Sequence, residues 1–155
     1  MYEEEKKMRL KSVVNGTKKY LEDVNDEAFS QKMMGDGIAI VPSDGQILAP
    51  ANATITMIFP TNHAFGIKTD DGIEVLIHIG IDTVEMNGDG FASFVKVNQH
   101  VNTGDRLVKI DLEKIKASGY ESDVMMIITN MNEYKTIIKS KKDQITVDDV
   151  ILEIV

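Results

Sequence analysis

The chain has 155 residues, with 25 acidic and 17 basic side chains, a formal net charge of −8 and no cysteine. Its length suits one domain with a real core, its interspersed acidic balance argues against a nucleic-acid partner, and the missing thiols exclude disulfides, a cysteine nucleophile and a thiolate zinc site. No apolar run approaches the ~20 residues of a membrane span, and the start lacks the apolar centre of a secretory signal, so the expected location is the cytoplasm.

Residues 1–11 are mostly charged, and their apolar members are too sparse for a strong amphipathic face. They predict a frayed helix or disorder, a flexible polar leader over 1–12 ahead of a single domain over 13–155. Met1 and this leader favour a free-standing protein. Residues 13–21 read as a first strand broken at Asn15-Gly16, and 22–27 as an acidic loop. Phe29, Met33 and Met34 then stand beside a Gly35-Asp36-Gly37 turn, either as core or as an exposed docking patch.

From residue 38 onward, short apolar runs alternate with turn residues. Residues 38–41, 46–48, 53–59, 63–68, 73–78, 99–101, 107–110, 124–129, 144–147 and 150–154 fit β-structure, separated by breaks such as Pro42-Ser43-Asp44-Gly45 and Asn87-Gly88-Asp89-Gly90. The pattern predicts an all-β fold, an antiparallel β-sandwich or barrel. One or two short helices interrupt it. Residues 111–118 are the clearer, with Leu112 and Ile115 on one face and Gly119 as a stop, while 133–139 fit helix or strand. The segments 43–50 and 101–107 each put a small polar turn before an apolar strand, a faint echo of a duplicated motif.

The chemistry gathers in 61–85. Asp70-Asp71-Gly72 turns the chain midway between His63 and His78, so a β-hairpin would bring the two histidines about 5 Å apart. A serine hydrolase lacks its nucleophile motif. His78 and Asp82, with His63, have the residue types of a three-ligand zinc site. A histidine can also accept a phosphoryl group on one ring nitrogen while the other is held by a hydrogen bond, with a second imidazole donating to the phosphoryl oxygens.

Gly35-Asp36-Gly37-Ile38-Ala39-Ile40, Ile58-Phe59-Pro60-Thr61-Asn62-His63-Ala64-Phe65 and His78-Ile79-Gly80-Ile81-Asp82-Thr83-Val84 closely resemble the glucose-family enzyme IIA domains of the bacterial phosphoenolpyruvate-dependent sugar phosphotransferase system. The likeness runs from about residue 14 to the end. It implies an antiparallel β-sandwich of the duplicated hybrid motif type. It also implies a cytoplasmic phosphoryl carrier, peripheral to the membrane only through its permease. The partners so implied are HPr as phosphoryl donor, the cysteine of a sugar-permease IIB domain as acceptor, and regulatory targets that respond to the phosphorylation state.

Residue by residue, the resemblance assigns His78 as the phosphorylated histidine through Nε2, and the Gly80 carbonyl as the acceptor that orients its Nδ1. It makes His63 the second active-site histidine and Thr61 the hydroxyl that positions it. Asp82 and Asp26 become acidic rim residues, and Phe29, Met33 and Phe59 an apolar docking surface. No cofactor is required, although zinc could sit at the two-histidine site. The chain departs from the family pattern at Asn25, where a proline is usual, and His100 has no counterpart and is expected at the surface. The competing resemblance is to lysostaphin-type zinc hydrolases, which would use His63, His78 and Asp82. Those enzymes need a downstream His-x-His, and His100 is the only histidine after His78.

Overall fold

The computed structural model describes residues 7–155. Its strands, in chain order, are β1 (Met8–Lys11), β2 (Gly16–Lys19), β3 (Asp36–Pro42), β4 (Gln46–Leu48), β5 (Ala53–Ile58), β6 (Ala64–Thr69), β7 (Glu74–Ile79), β8 (Phe91–Ser93), β9 (His100–Val101), β10 (Arg106–Ile110), β11 (Val124–Ile128), β12 (Ile137–Lys139), β13 (Gln144–Ile145) and β14 (Val150–Ile154). Two short α-helices, α1 (Glu27–Ser30) and α2 (Leu112–Ala117), and three 3-10 turns complete the described residues. The largest sheet has the order β13-β2-β3-β11-β7-β6-β5-β9 and packs with the three-stranded sheets β4-β10-β8 and β1-β14-β12. Adjacent strands pair antiparallel throughout, for example β7 with β11 and β6 with β7.

Two strands at the middle of the large sheet are buried on both faces, which explains their unbroken apolar sequences. In β11, Val124, Met126 and Ile128 join the main core, while Met125 and Ile127 join a second cluster with Leu21, Val24, Phe29, Ala39 and Ile81. In β3, Ile38 and Ile40 face the main core and Ala39 faces the second cluster. The acidic segment from the Leu21–Asp23 turn through α1 thus roofs one side of the sheet. His78 lies on that side, opposite Met125 in the β7–β11 register.

Helix α2 starts where expected. Asp111 caps it by accepting from the Lys114 N–H at 3.1 Å, and Ile115, fully buried, stabilises it by about 1.5–3 kcal/mol. The strands carrying the echoed segments, β4 and β10, pair with each other. The 133–139 ambiguity resolves into a 3-10 turn (Met131–Glu133) followed by β12.

The leader expected over 1–12 is corrected where it can be seen. Met8–Lys11 is a strand paired with β14 in the register Met8↔Ile154, with Met8 and Leu10 buried. Its partner lies at the far end of the chain, so the alternation Met8, Leu10 had no local context to mark it. The rest of that expectation, residues 1–6, lies outside the described residues. Strand β8 was not expected either.

Candidate functional site

The hairpin forms as expected, with Gly72 at φ 98° in its turn, but its register is offset by one residue. Ala64, not His63, sits opposite His78. His63 precedes β6 in a tight connection where Asn62 takes φ 58°, a left-handed conformation that asparagine tolerates better than most residues. Strict alternation would aim residue 63 away from the face of Ala64 and His78. The turn at Asn62 breaks the alternation, and the imidazoles of His63 and His78 meet edge to face with centroids 5.1 Å apart.

Each ring nitrogen on the inner side is held. His78 Nδ1 lies 3.0 Å from the Gly80 carbonyl; since a carbonyl can only accept, Nδ1 carries the proton and the neutral ring keeps its lone pair on Nε2. His63 Nδ1 lies 2.5 Å from the Thr61 hydroxyl. If that hydroxyl donates, the His63 proton stands on Nε2. Phe29 backs His78 at 4.9 Å and Phe59 meets His63 edge-on at 5.2 Å between centroids. His63 is buried and His78 half-buried.

Both imidazoles are uncharged at neutral pH. Burial pushes His78 down to about 4, helped by His63 alongside, against the Gly80 hydrogen bond and the Asp26 and Asp82 carboxylates that favour the charged form. Burial lowers His63 as well.

The loop after β7 is fixed by its own geometry. Gly80 has φ 80° and Asp82 φ 60°. A Cβ on Gly80 would stand 2.3 Å from Thr83 Cγ2 and 3.0 Å from the Glu121 carbonyl. Thr83 cannot give way, being fully buried with its hydroxyl donating to the Ile79 carbonyl. Gly80→Ala should therefore lower unfolding free energy in urea by about 2–4 kcal/mol, from left-handed strain plus overpacking. It should also displace the carbonyl that holds His78.

Met33, just after α1, and Val84, in the 3-10 turn after β7, are 71 % and 45 % exposed. An apolar groove of about 490 Å³ runs alongside, lined by Met34, Met57, Phe59 and Leu76 among others. Asp82 is exposed and Asp26, half-buried, caps α1 through the Ala28 N–H. Met57 and Leu76 escaped the sequence reading. Leu76 shares the face of His78 two residues on, a signal present in the alternation, whereas Met57 is re-aimed by a register shift between Ile55 and Met57 that no pattern marks.

The sequence model of the phosphoenolpyruvate-dependent sugar phosphotransferase system EIIA 1 family matches residues 8–134. The chain belongs to this family. It is 49 % identical over 120 residues to the glucose-specific EIIA component of Halalkalibacterium halodurans, covering 77 % of this chain and 69 % of that protein. It is 44 % identical over 141 residues, 91 % of this chain, to the glucose-specific EIICBA component of Staphylococcus saprophyticus, but spans only 21 % of that longer protein. The solved glucose permease IIA from Mycoplasma capricolum superposes with a TM-score of 0.91 at 39 % identity over 99 % of each chain. The EIIA domain is a phosphoryl-transfer component of its system, and its sandwich is the architecture described above.

Two expectations about this EIIA site need correction. Phe29, expected on a docking surface, is only 3 % exposed; it belongs to the second core cluster and supports the His78 ring instead. The three-ligand zinc site is not built: among the described residues no three His, Cys, Asp or Glu side chains gather as a metal-holding set. His100, expected at the surface, pairs there with Asp70 at 3.1 Å. Among the described residues no helix is long and apolar enough to cross a membrane.

Proposed function

We propose that this EIIA chain accepts a phosphoryl group from phospho-HPr on Nε2 of His78 and passes it to the cysteine of a sugar-permease IIB domain. The observation that carries this reading is the hydrogen bond from His78 Nδ1 to the Gly80 carbonyl, which leaves Nε2 as the free nucleophilic nitrogen of a neutral ring. In the first step the Nε2–P bond forms as the N–P bond to the HPr histidine breaks, and the Nδ1 proton stays in place. In the second the IIB sulfur attacks phosphorus, the Nε2–P bond breaks and Nε2 regains its lone pair.

Thr61 donates to Nδ1 of His63 and so turns the Nε2–H of His63 toward the transferring group, whose equatorial oxygens carry the charge at the nearly planar transition state. No resident metal enters either step. The adjoining EIICBA and EIIBCA organisation of the relatives supports a IIB partner. Relatives named glucose-specific and β-glucoside-specific are 44 % and 40 % identical to this chain, which supports a relay that is indifferent to the sugar. The chain then works in the cytoplasm, at the inner face of the membrane when its permease is there.

Docking uses the apolar groove and Met33, with Asp26 and Asp82 at the rim against basic groups of HPr. Asp82→Lys should slow transfer from phospho-HPr and flatten its dependence on ionic strength, because rim charges act mainly on encounter. Stopped transfers at several salt concentrations test this, and an unchanged rate and slope would place the docking face elsewhere. The whole relay is tested by loading the protein with phospho-HPr and chasing the phosphoryl group onto a purified IIB domain. A protein that loads but never discharges to any IIB contradicts the carrier reading.

A further inference from the structure

Lys19, Ala39, Met125 and His78 lie in one row across four neighbouring strands, Lys19 opposite Ala39, Ala39 opposite Met125 and Met125 opposite His78. Residues directly opposite share a face of the sheet, so the Lys19 side chain emerges on the same face as the histidine. There its Nζ donates to Asp123 Oδ2 at 2.9 Å. The Asp123 residue is only 5 % exposed.

Residues 120–123 form neither helix nor strand, yet their backbone is the template for the loop that follows β7. The Asp123 carbonyl accepts from the Gly80 N–H at 2.7 Å, and the Glu121 carbonyl from the Ile81 N–H at 3.0 Å. The same Gly80 peptide then accepts from His78 Nδ1 through its own carbonyl. A continuous set of contacts therefore runs from Lys19 through Asp123 and Gly80 to the ring nitrogen of His78. At the other end of the segment, Asn25 donates to Glu121 at 2.9 Å, but in an exposed setting where such a bond fixes little.

We propose that Lys19 and Asp123 are positioning residues for His78: their ion pair holds the 120–123 segment so that the Gly80 carbonyl stays aimed at Nδ1. This rests on the reading of His78 as the phosphoryl acceptor. Without the ammonium, the shielded carboxylate is an unpaired charge, and the cheapest relief is to turn it toward water. Residues 120–123 lie outside regular structure up to the start of β11 at Val124, and their carbonyl contacts to Gly80 and Ile81 make that loop follow the segment when it shifts. His78 then loses the contact that keeps its proton on Nδ1, and both tautomers become populated.

The test uses histidine labelled with 15N in the full chain, where two-bond proton–nitrogen correlations report which ring nitrogen of His78 carries the proton, with no phosphoryl donor present. The wild-type protein should show the Nδ1–H form. Lys19→Met should show both forms and accept phosphoryl from saturating phospho-HPr roughly 10-fold more slowly, with KM for phospho-HPr unchanged. Lys19→Arg, which keeps the charge within reach of Asp123, should restore tautomer and rate.

If Lys19→Met is destabilised but keeps the wild-type tautomer and rate, the pair serves stability alone and the proposal is overturned. Should Lys19→Met not fold, Lys19→Ala, which also removes the ammonium and leaves the Asp123 carboxylate without it, carries the same two readouts and decides in its place. Phosphoryl found elsewhere than His78 would sink the carrier reading instead, while the tautomer measurement would still judge the positioning of the ring.

Discussion

The His78→Ala protein should accept no phosphoryl group from phospho-HPr. Alanine removes the one ring nitrogen whose lone pair is left free by the contacts of the site, since His63 keeps its proton on Nε2 when Thr61 donates to Nδ1. Loss of a covalent nucleophile costs on the order of 10⁶-fold in rate, which at this site means no uptake on any practical timescale. The β7 backbone pairs with both neighbours irrespective of its side chains, so the fold should persist and amide fingerprints should match the wild type away from residue 78.

The same assignment fixes a pH dependence. The pKa of His78 is lowered, chiefly by burial, to about 4, so the reactive neutral ring persists below the ordinary imidazole range. Uptake by the wild-type protein, with the donor's own titration divided out, should hold through pH 6.5 and fall only as pH approaches about 4. A midpoint near the ordinary histidine value would mean that the ring is more hydrated than its packing against Phe29 and His63 implies.

His63→Gln should leave the fold and some loading of His78 intact while slowing transfer in both directions about 10²-fold, or about 3 kcal/mol of barrier, the cost of losing one preorganised donor in comparable sites. A fixed donor matters most where charge spreads over the equatorial oxygens, so the loss should appear in the transfer rate and hardly in the affinity for phospho-HPr. Glutamine keeps an N–H but cannot carry positive charge as the phosphoryl group passes. Single-turnover kinetics decide. Unchanged rates would make His63 structural, and phosphoryl trapped on His63 in a His78 variant would reverse the two roles.

Much of this site is legible in the sequence because its parts are local. The alternation on each side of Asp70-Asp71-Gly72 specifies a hairpin, and the hairpin brings both histidines to one end. What stayed hidden depends on distant partners or on single backbone torsions. The positive φ at Asn62, which turns His63 toward His78, costs asparagine too little to leave a mark. The loop-like context of Phe29 leaves core and docking patch open, the resemblance points to docking, and only the assembly of Leu21, Val24, Met125 and Ile127 around it makes it core. Strand β1 is invisible without β14, and the Lys19–Asp123 pair joins residues from opposite ends of the domain.

The position of the phosphoryl group on the loaded protein tests the central claim most directly. Intact mass after incubation with phosphoenolpyruvate, enzyme I and HPr should show a single added phosphoryl group, labile in acid and stable in base as a phosphoramidate is. Fragment mapping and ring 15N shifts should place it on Nε2 of His78, with the Nδ1 proton still held by the Gly80 carbonyl. A phosphoryl group on serine, threonine or aspartate, or on Nδ1 of His78, would contradict the account.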